Sequence, residues 1–225
     1  NNQSRWYLGL HYNQTPSGWN GFTTLSDFYD KFGAGDTRLG MAYPGVTDRS
    51  GLRVGFLIGQ QYDKNGTALK DRRGNPLAFT REVHLKETGN DLEITGIRVM
   101  KYPPDLDNEF PANNDYVIFR FADVLLMVAE AYMRTGDAAQ ALLLVNQIRL
   151  KRGATPLASV DLDAILDERG RELYWEGWRR QDLIRFGKFL QPWQEKPNDD
   201  PKYLLFAIPS EQLAVNPNLT QNPGY

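Results

Sequence analysis

The spacing of apolar positions along this chain changes character near residue 116. Downstream of it, Phe121, Val124, Leu125, Val128 and Tyr132 recur at steps of three and four, which places them on one face of an α-helix. Gly136 followed by Asp137 reads as a stop and a restart. Ala141, Leu142, Val145 and Ile148 then form the stripe of a second helix, ended by Gly153 and Pro156. Together they predict an antiparallel helical hairpin. A third helix is expected to open at Asp161 or Asp163, either of which can cap it, and to run through ILDERGRELYWE until Gly177 breaks or bends it before WRRQDLIRFGKFL.

Residues 1–115 carry a different pattern. The stretches PSGWNG, GAGD, YPG, KNG, GNP and YPPDLDNEFP mark turns at short intervals. Between them, 53–58, 80–85 and 92–102 predict short strands, and LSDFYDKF predicts one short helix. The chain therefore divides into a loop-rich, ligand-facing region with short strands, 1–115, and a helical region, 116–225, expected to form one structural unit of a larger protein. Within the hairpin, Leu125, Val128, Ala129, Tyr132, Ala141 and Val145 fall where a tetratricopeptide repeat keeps its larger apolar, small and aromatic residues. One such unit cannot bury its own faces, and no second copy is visible. An ordinary amphipathic helix pair fits the same spacing.

Composition narrows the chemistry. The 225 residues are 41% hydrophobic, enough for a sizeable core. With 26 Lys plus Arg against 28 Asp plus Glu, the chain has no basic field to draw it to a nucleic acid. It has no cysteine, which removes disulfides, thiolate metal sites and cysteine nucleophiles together. The start, NNQSRWYLGL, has neither a basic nor an apolar leader region, and no window reaches the roughly 18 apolar residues that span a bilayer. The chain is thus expected to be soluble as it stands and to be a piece of a longer precursor.

Charged residues and two tryptophans crowd the segment ERGRELYWEGWRRQDLIRFG, residues 168–187. Glu168 and Glu172 share a helical face, and a carboxylate pair is the equipment of a glycoside hydrolase. Arginines 169, 171, 179 and 180 stand close in sequence, however, and an arginine beside a carboxylate lowers its pKa, the wrong direction for a general acid. The segment is read as an ion-paired strut, with Trp175 and Trp178 packing the corner at Gly177, and no catalytic residue is assigned. His11 and His84 are too isolated for a zinc site. Asp105, Asp107, Asn108 and Glu109 lack the spacing of an EF-hand and read as a solvated acidic loop. No metal and no cofactor are expected.

A sugar ligand asks for flat aromatic faces beside amides and charged groups. The start of the chain is richest in these: Trp6, Tyr7, His11, Tyr12, Asn13, Gln14, Trp19 and Asn20, interrupted by turn residues. Trp19, within SGWNG, lies between turn residues rather than on a periodic apolar face, and is the first candidate for ligand contact. Trp6, Tyr12, Asn13 and Asn20 follow. The competing reading has Trp19 plugging its loop against the helices.

Four blocks in order, FRFADVLLMVAEAYMRTGDAAQALLLVNQIRLKRG, ILDERGRELYWEGWRRQDLIRFG, LLFAIPSEQL and NPNLTQNPGY, resemble the C-terminal half of the SusD/RagB family. Upstream, GWNGFTTLSDFYDKF followed by Gly35, Asp36 and Arg38 is similar to that family's central region. The resemblance implies a mainly α protein, a tetratricopeptide-like α–α superhelix with long loop-rich excursions and a few short strands. It implies a non-enzymatic, cell-surface protein that captures a nutrient, most often an oligosaccharide such as a starch-like glycan. Import would follow through a SusC-like TonB-dependent transporter of the outer membrane in Bacteroidetes-type bacteria. The lipid anchor and most of the family's repeats belong to an N-terminal half this sequence lacks. Peptide capture, as in the RagB branch, and a scaffold half without a ligand site of its own are the alternatives. The family's aromatic platform varies between members, so no site residue is transferred by motif.

Overall fold

A computed structural model of the chain describes residues 6–88, 92–108, 113, 115–197 and 199–225. Its helices are α1 (Ser26–Tyr29), α2 (Thr47–Ser50), α3 (Phe121–Arg134), α4 (Ala138–Lys151), α5 (Leu162–Leu173), α6 (Arg179–Arg185) and α7 (Ser210–Val215). The strands are short: β1 (Gly40–Met41), β2 (Val54–Leu57), β3 (Gly59–Gln60), β4 (Ala78–Phe79) and β5 (Arg98–Met100). The protein is mainly helical with few strands.

The helical hairpin forms for the reasons its pattern gives. α3 ends at Arg134, just before Gly136, and the Asp137 side chain accepts a hydrogen bond from the Gln140 amide at 3.0 Å, capping α4. Asp161, not Asp163, caps α5, accepting from the Ala164 amide at 2.7 Å. Leu126 and Ala129 of α3, Ala141, Val145 and Ile148 of α4, and Ile165 of α5 close over one another as a buried core. Small alanines at 129 and 141 let α3 and α4 approach closely. Val128 and Tyr132, expected in the repeat core, face outward with Val124 and Phe121, so α3 shows solvent an apolar stripe.

Residues 6–88 and 92–100 wrap a second core. Trp6, Leu10, Leu57, Leu77, Phe79 and Met100 are among the side chains buried there, around an antiparallel sheet of order β1–β2–β5 that pairs Phe56 with Val99 and Leu57 with Arg98. β3 and β4 form a separate two-stranded ribbon. Two strand expectations are corrected. Residues 80–85 form no strand: the Thr80 hydroxyl bonds the Glu82 carbonyl at 2.9 Å, a local bond that competes with a ladder. Of 92–102 only Arg98–Met100 is strand, because Gly96 sits at φ +81°, outside extended geometry, with Thr23 packed where a Cβ would stand.

The third helix stops at Leu173, before the expected bend at Gly177. Tyr174 turns extended and Trp175 takes φ +64°, costly for a bulky residue, because both rings turn into a third aromatic cluster. Tyr174 stacks on Phe56 with centroids 4.9 Å apart, beside Phe32 and Phe28. This cluster joins the helical segment to the sheet. Replacing Leu126, fully buried between α3, α4 and α5, by alanine is expected to cost about 2–5 kcal/mol, read as a lower urea midpoint with unchanged slope. A loss under about 1 kcal/mol would mean that this core closes without it.

Candidate functional site

Trp19 stands on a turn laced to the start of the chain. Its amide donates to the Tyr7 carbonyl at 2.9 Å, the Asn20 amide to Leu10 at 2.8 Å and the Gly21 amide to Leu8 at 2.8 Å. Residue 18 must be glycine here: a Cβ would overlap the Leu10 carbonyl oxygen and side chain. The Trp19 ring is 58% exposed and meets Tyr7 edge-on at 5.0 Å, with Tyr7 in turn edge-on to Trp6. Trp19 thus stands exposed on a hydrogen-bonded turn and is not buried as a plug under the helices.

The neighbours divide between platform and brace. Trp6 is fully buried in the core, and a ring with no exposed surface cannot offer a face to a sugar; its expected role in ligand contact is withdrawn. Asn20 is likewise a brace: its Nδ2 donates to the Glu93 carbonyl at 3.0 Å and its Oδ1 accepts from Arg98 Nη2 at 2.9 Å. Both ends of that amide hold the loop, with the backbone at φ 54°. Tyr12 is 38% exposed, with the Arg72 guanidinium over its ring at 4.3 Å. Asn13 is exposed, its Nδ2 donating to the Lys70 carbonyl at 2.8 Å.

His11 is a buried structural residue. Its Nδ1 accepts from the Asn13 amide at 3.0 Å, which leaves the proton on Nε2 to donate to Glu93 at 2.9 Å. Burial lowers its pKa below the usual histidine value, outweighing the Glu93 charge. Glu93 is held below the usual carboxylate range: burial would raise it, but hydrogen bonds from Arg72 and His11 prevail. Arg72, Glu93 and Arg98, which position this loop, were not legible as site residues. The one signal was a charge at Arg98 inside the apolar run ITGIRVM, whose side chain the structure buries against Phe79 at 4.8 Å.

The carboxylate pair lies elsewhere and is walled in. Glu168 and Glu172 are almost without exposed surface. Glu168 meets Arg38 at 2.8 Å, Arg149 at 2.7 Å and Arg171 at 2.8 Å. Glu172 meets Arg38 at 2.9 Å and both Arg120 and Arg152 at 2.6 Å. Asp36 holds Arg38 from behind at 2.7 Å, and Glu176 takes Arg120 at 2.9 Å and also Lys101. A carboxylate that must give up a proton in catalysis needs a raised pKa and a path to substrate. Glu172 has the reverse: burial alone would raise its pKa, yet the bonds and charges of Arg152 and Arg120 lower it to about 2. The pair is a strut.

Comparison with known proteins places this architecture. The SusD family model matches residues 2–205. The chain belongs to the SusD family. Among curated SusD proteins, the starch-binding protein SusD of Bacteroides thetaiotaomicron is 33% identical over 123 residues, which cover 50% of this chain and 22% of that protein. A SusD superfamily structure from Parabacteroides distasonis superposes with TM-score 0.69 at 21% identity, over 100% of this chain and 47% of its own. Surface glycan-binding protein A from Bacteroides uniformis gives TM-score 0.60 at 23% identity, over 92% of this chain and 42% of its own. The chain therefore spans half or less of the length of the structures it matches, and shares their tetratricopeptide-like helical fold.

Other charged candidates of this SusD-family chain are structural. Arg169, almost fully buried, bridges Asp123 of α3 at 2.9 Å and Asp182 of α6 at 2.8 Å, and Arg185 returns to Asp182 at 2.9 Å. Asp107 pairs with Arg49 at 2.7 Å, Asp105 accepts from the Asp107 amide, and Glu109 lies outside the described residues. His84 is exposed and meets Glu195 at 3.2 Å. Among the described residues no three His, Asp or Glu come together as a metal site, and no helix is long and apolar enough to cross a membrane.

Because the folded chain lowers the Glu172 pKa from 4.5 to about 2, the folded state binds its proton more weakly than the unfolded state does. The stabilisation is therefore full above about pH 4.5 and is lost as pH falls toward 2. Glu172→Gln is expected to lower stability at pH 7 by about 3–5 kcal/mol and to flatten the fall in stability across that window. Parallel stability curves for variant and parent would show that another group titrates there.

Proposed function

We propose that this chain is part of a non-enzymatic glycan-binding protein of the cell surface, and that Trp19 is its principal ligand contact. The observation that carries the reading is the exposed Trp19 ring, fixed by backbone bonds beside Tyr7 on a turn that cannot easily move. Aromatic faces presented rigidly take the apolar face of a pyranose with little ordering cost. Tyr12 and Asn13, on the same N-terminal loop, supply a further ring and an amide oxygen for hydroxyl groups. The family supports the ligand class: relatives include a starch-binding protein and a laminarin-binding SusD-like protein. Delivery to a SusC-like transporter from a lipid-anchored position on the outer membrane follows from the same kinship. The carboxylate pair is unsuited to acid catalysis, since Arg152 and Arg120 lower the Glu172 pKa and Glu168 has no exposed surface.

Calorimetric titration with neutral oligosaccharides, maltoheptaose and laminarihexaose first, tests the reading. Saturable binding without release of reducing ends is expected, and Trp19→Ala should weaken it at least tenfold, about 1.4 kcal/mol. Trp6→Phe should change affinity little while lowering stability. Undiminished affinity in Trp19→Ala would remove that residue from the site, and displacement of the bound glycan by short peptides would shift the reading to peptide capture.

A further inference from the structure

The ion-pair network around Glu172 is not electrically balanced. Among the described residues, six cations, Arg38, Lys101, Arg120, Arg149, Arg152 and Arg171, face four carboxylates, Asp36, Glu168, Glu172 and Glu176. Positive charge held in a protein interior is unfavourable unless an anion or water meets it. The surplus is concentrated on one side. Arg38, Lys101, Arg120 and Arg152 line an open cleft of about 380 Å³, and Glu172 is its one carboxylate among the described residues.

That cleft has unused donors. Arg152 holds Glu172 through Nε at 3.1 Å and Nη2 at 2.6 Å, while its Nη1 has no hydrogen-bond partner among the described residues. The Tyr43 hydroxyl, on the same wall, has none there either. A guanidinium edge donates to two oxygens of a carboxylate or sulfate in one plane. The remaining wall is apolar and aromatic, formed by Met41, Val54, Tyr43 and Tyr174 among others, and the volume falls within the usual range for small-molecule sites, about 300–1,000 Å³. A neutral sugar would fill the space and leave the charge surplus unmet.

We propose that this cleft is a second glycan subsite that takes an acidic sugar, its carboxylate or sulfate ester seated against Arg152 and Arg120 and its ring against Tyr43. The proposal rests on the glycan-binding reading given above but uses none of the residues around Trp19. Met41 is 44% exposed at the cleft wall and takes no part in the ion network, so Met41→Glu adds a negative charge there while leaving the strut intact.

The test is calorimetric titration of the 225-residue chain with trigalacturonate, a sulfated galactobiose and neutral galactotriose, each with and without added salt. The acidic probes are expected to bind at least tenfold more tightly than galactotriose and to weaken as salt rises from about 0.05 to 0.5 M. Whichever acidic probe binds identifies the anion. Met41→Glu should reduce acidic binding at least tenfold while leaving the Trp19-dependent binding of neutral glycan unchanged and the helical circular dichroism signal intact. Equal affinity for acidic and neutral probes, or acidic binding untouched by Met41→Glu in a folded sample, overturns the proposal. Sodium sulfate alone separates the two ways of failing. If sulfate binds in a Met41-sensitive manner but no glycan of either charge does, the glycan reading falls and takes the acidic sugar with it. If neutral glycan binds at Trp19 and neither sulfate nor trigalacturonate binds, the acidic subsite falls alone.

Discussion

The grip of Arg38, Arg120 and Arg152 on Glu172 is the constraint on which the rest of the structure depends. These three arginines come from the 3₁₀ turn after α1, the segment leading into α3 and the end of α4, and they converge on one carboxylate of α5. Removing any one partner from so buried a set leaves charge without compensation, which makes the arrangement all-or-none. It follows that the loop-rich segment and the helices are held in one relative position, with the Tyr174–Phe56 stack alongside.

That rigidity extends to the N-terminal turn proposed as the glycan contact. Lys101 donates to the carbonyls of Glu172 and Tyr174 and carries the constraint to β5, whose Arg98 braces Asn20 directly beside Trp19. The proposed aromatic platform is therefore connected, through one short strand, to the buried arginine–carboxylate strut. The arginines that lower the Glu172 pKa also leave a positive surplus facing the cleft between β1 and α4. One network accounts for both the stiffness of the fold and the character of its second opening.

The apolar stripe on α3 completes the picture. Phe121, Val124, Val128 and Tyr132 obey helical spacing as well as any core residues, yet they are exposed here, while Leu126 and Ala129 a step away are sealed. A stripe of this width on a monomer is more apolar surface than single exposed hydrophobics account for. Periodicity reports that a face is apolar; which of two apolar faces finds a neighbour depends on what the chain folds against it.

Residue order alone determined the helical hairpin, its break at Gly136 and restart at Asp137, and narrowed the next cap to Asp161 or Asp163, because each depends on neighbours three or four positions apart. It also singled out Trp19, since an aromatic residue between turn residues has no periodic face to join. The premature end of α5 at Leu173, the burial of Trp6, the use of Asn20 as a brace and the placing of Arg38 and Arg152 on the ion-paired strut and of Arg98 against Asn20 were decided only by tertiary structure. Arg38 and Glu172 are 134 positions apart, and no local spacing rule reaches that far. Burial, charge compensation and cavity shape are properties of surfaces brought together by folding, and they exist only once the chain has closed on itself.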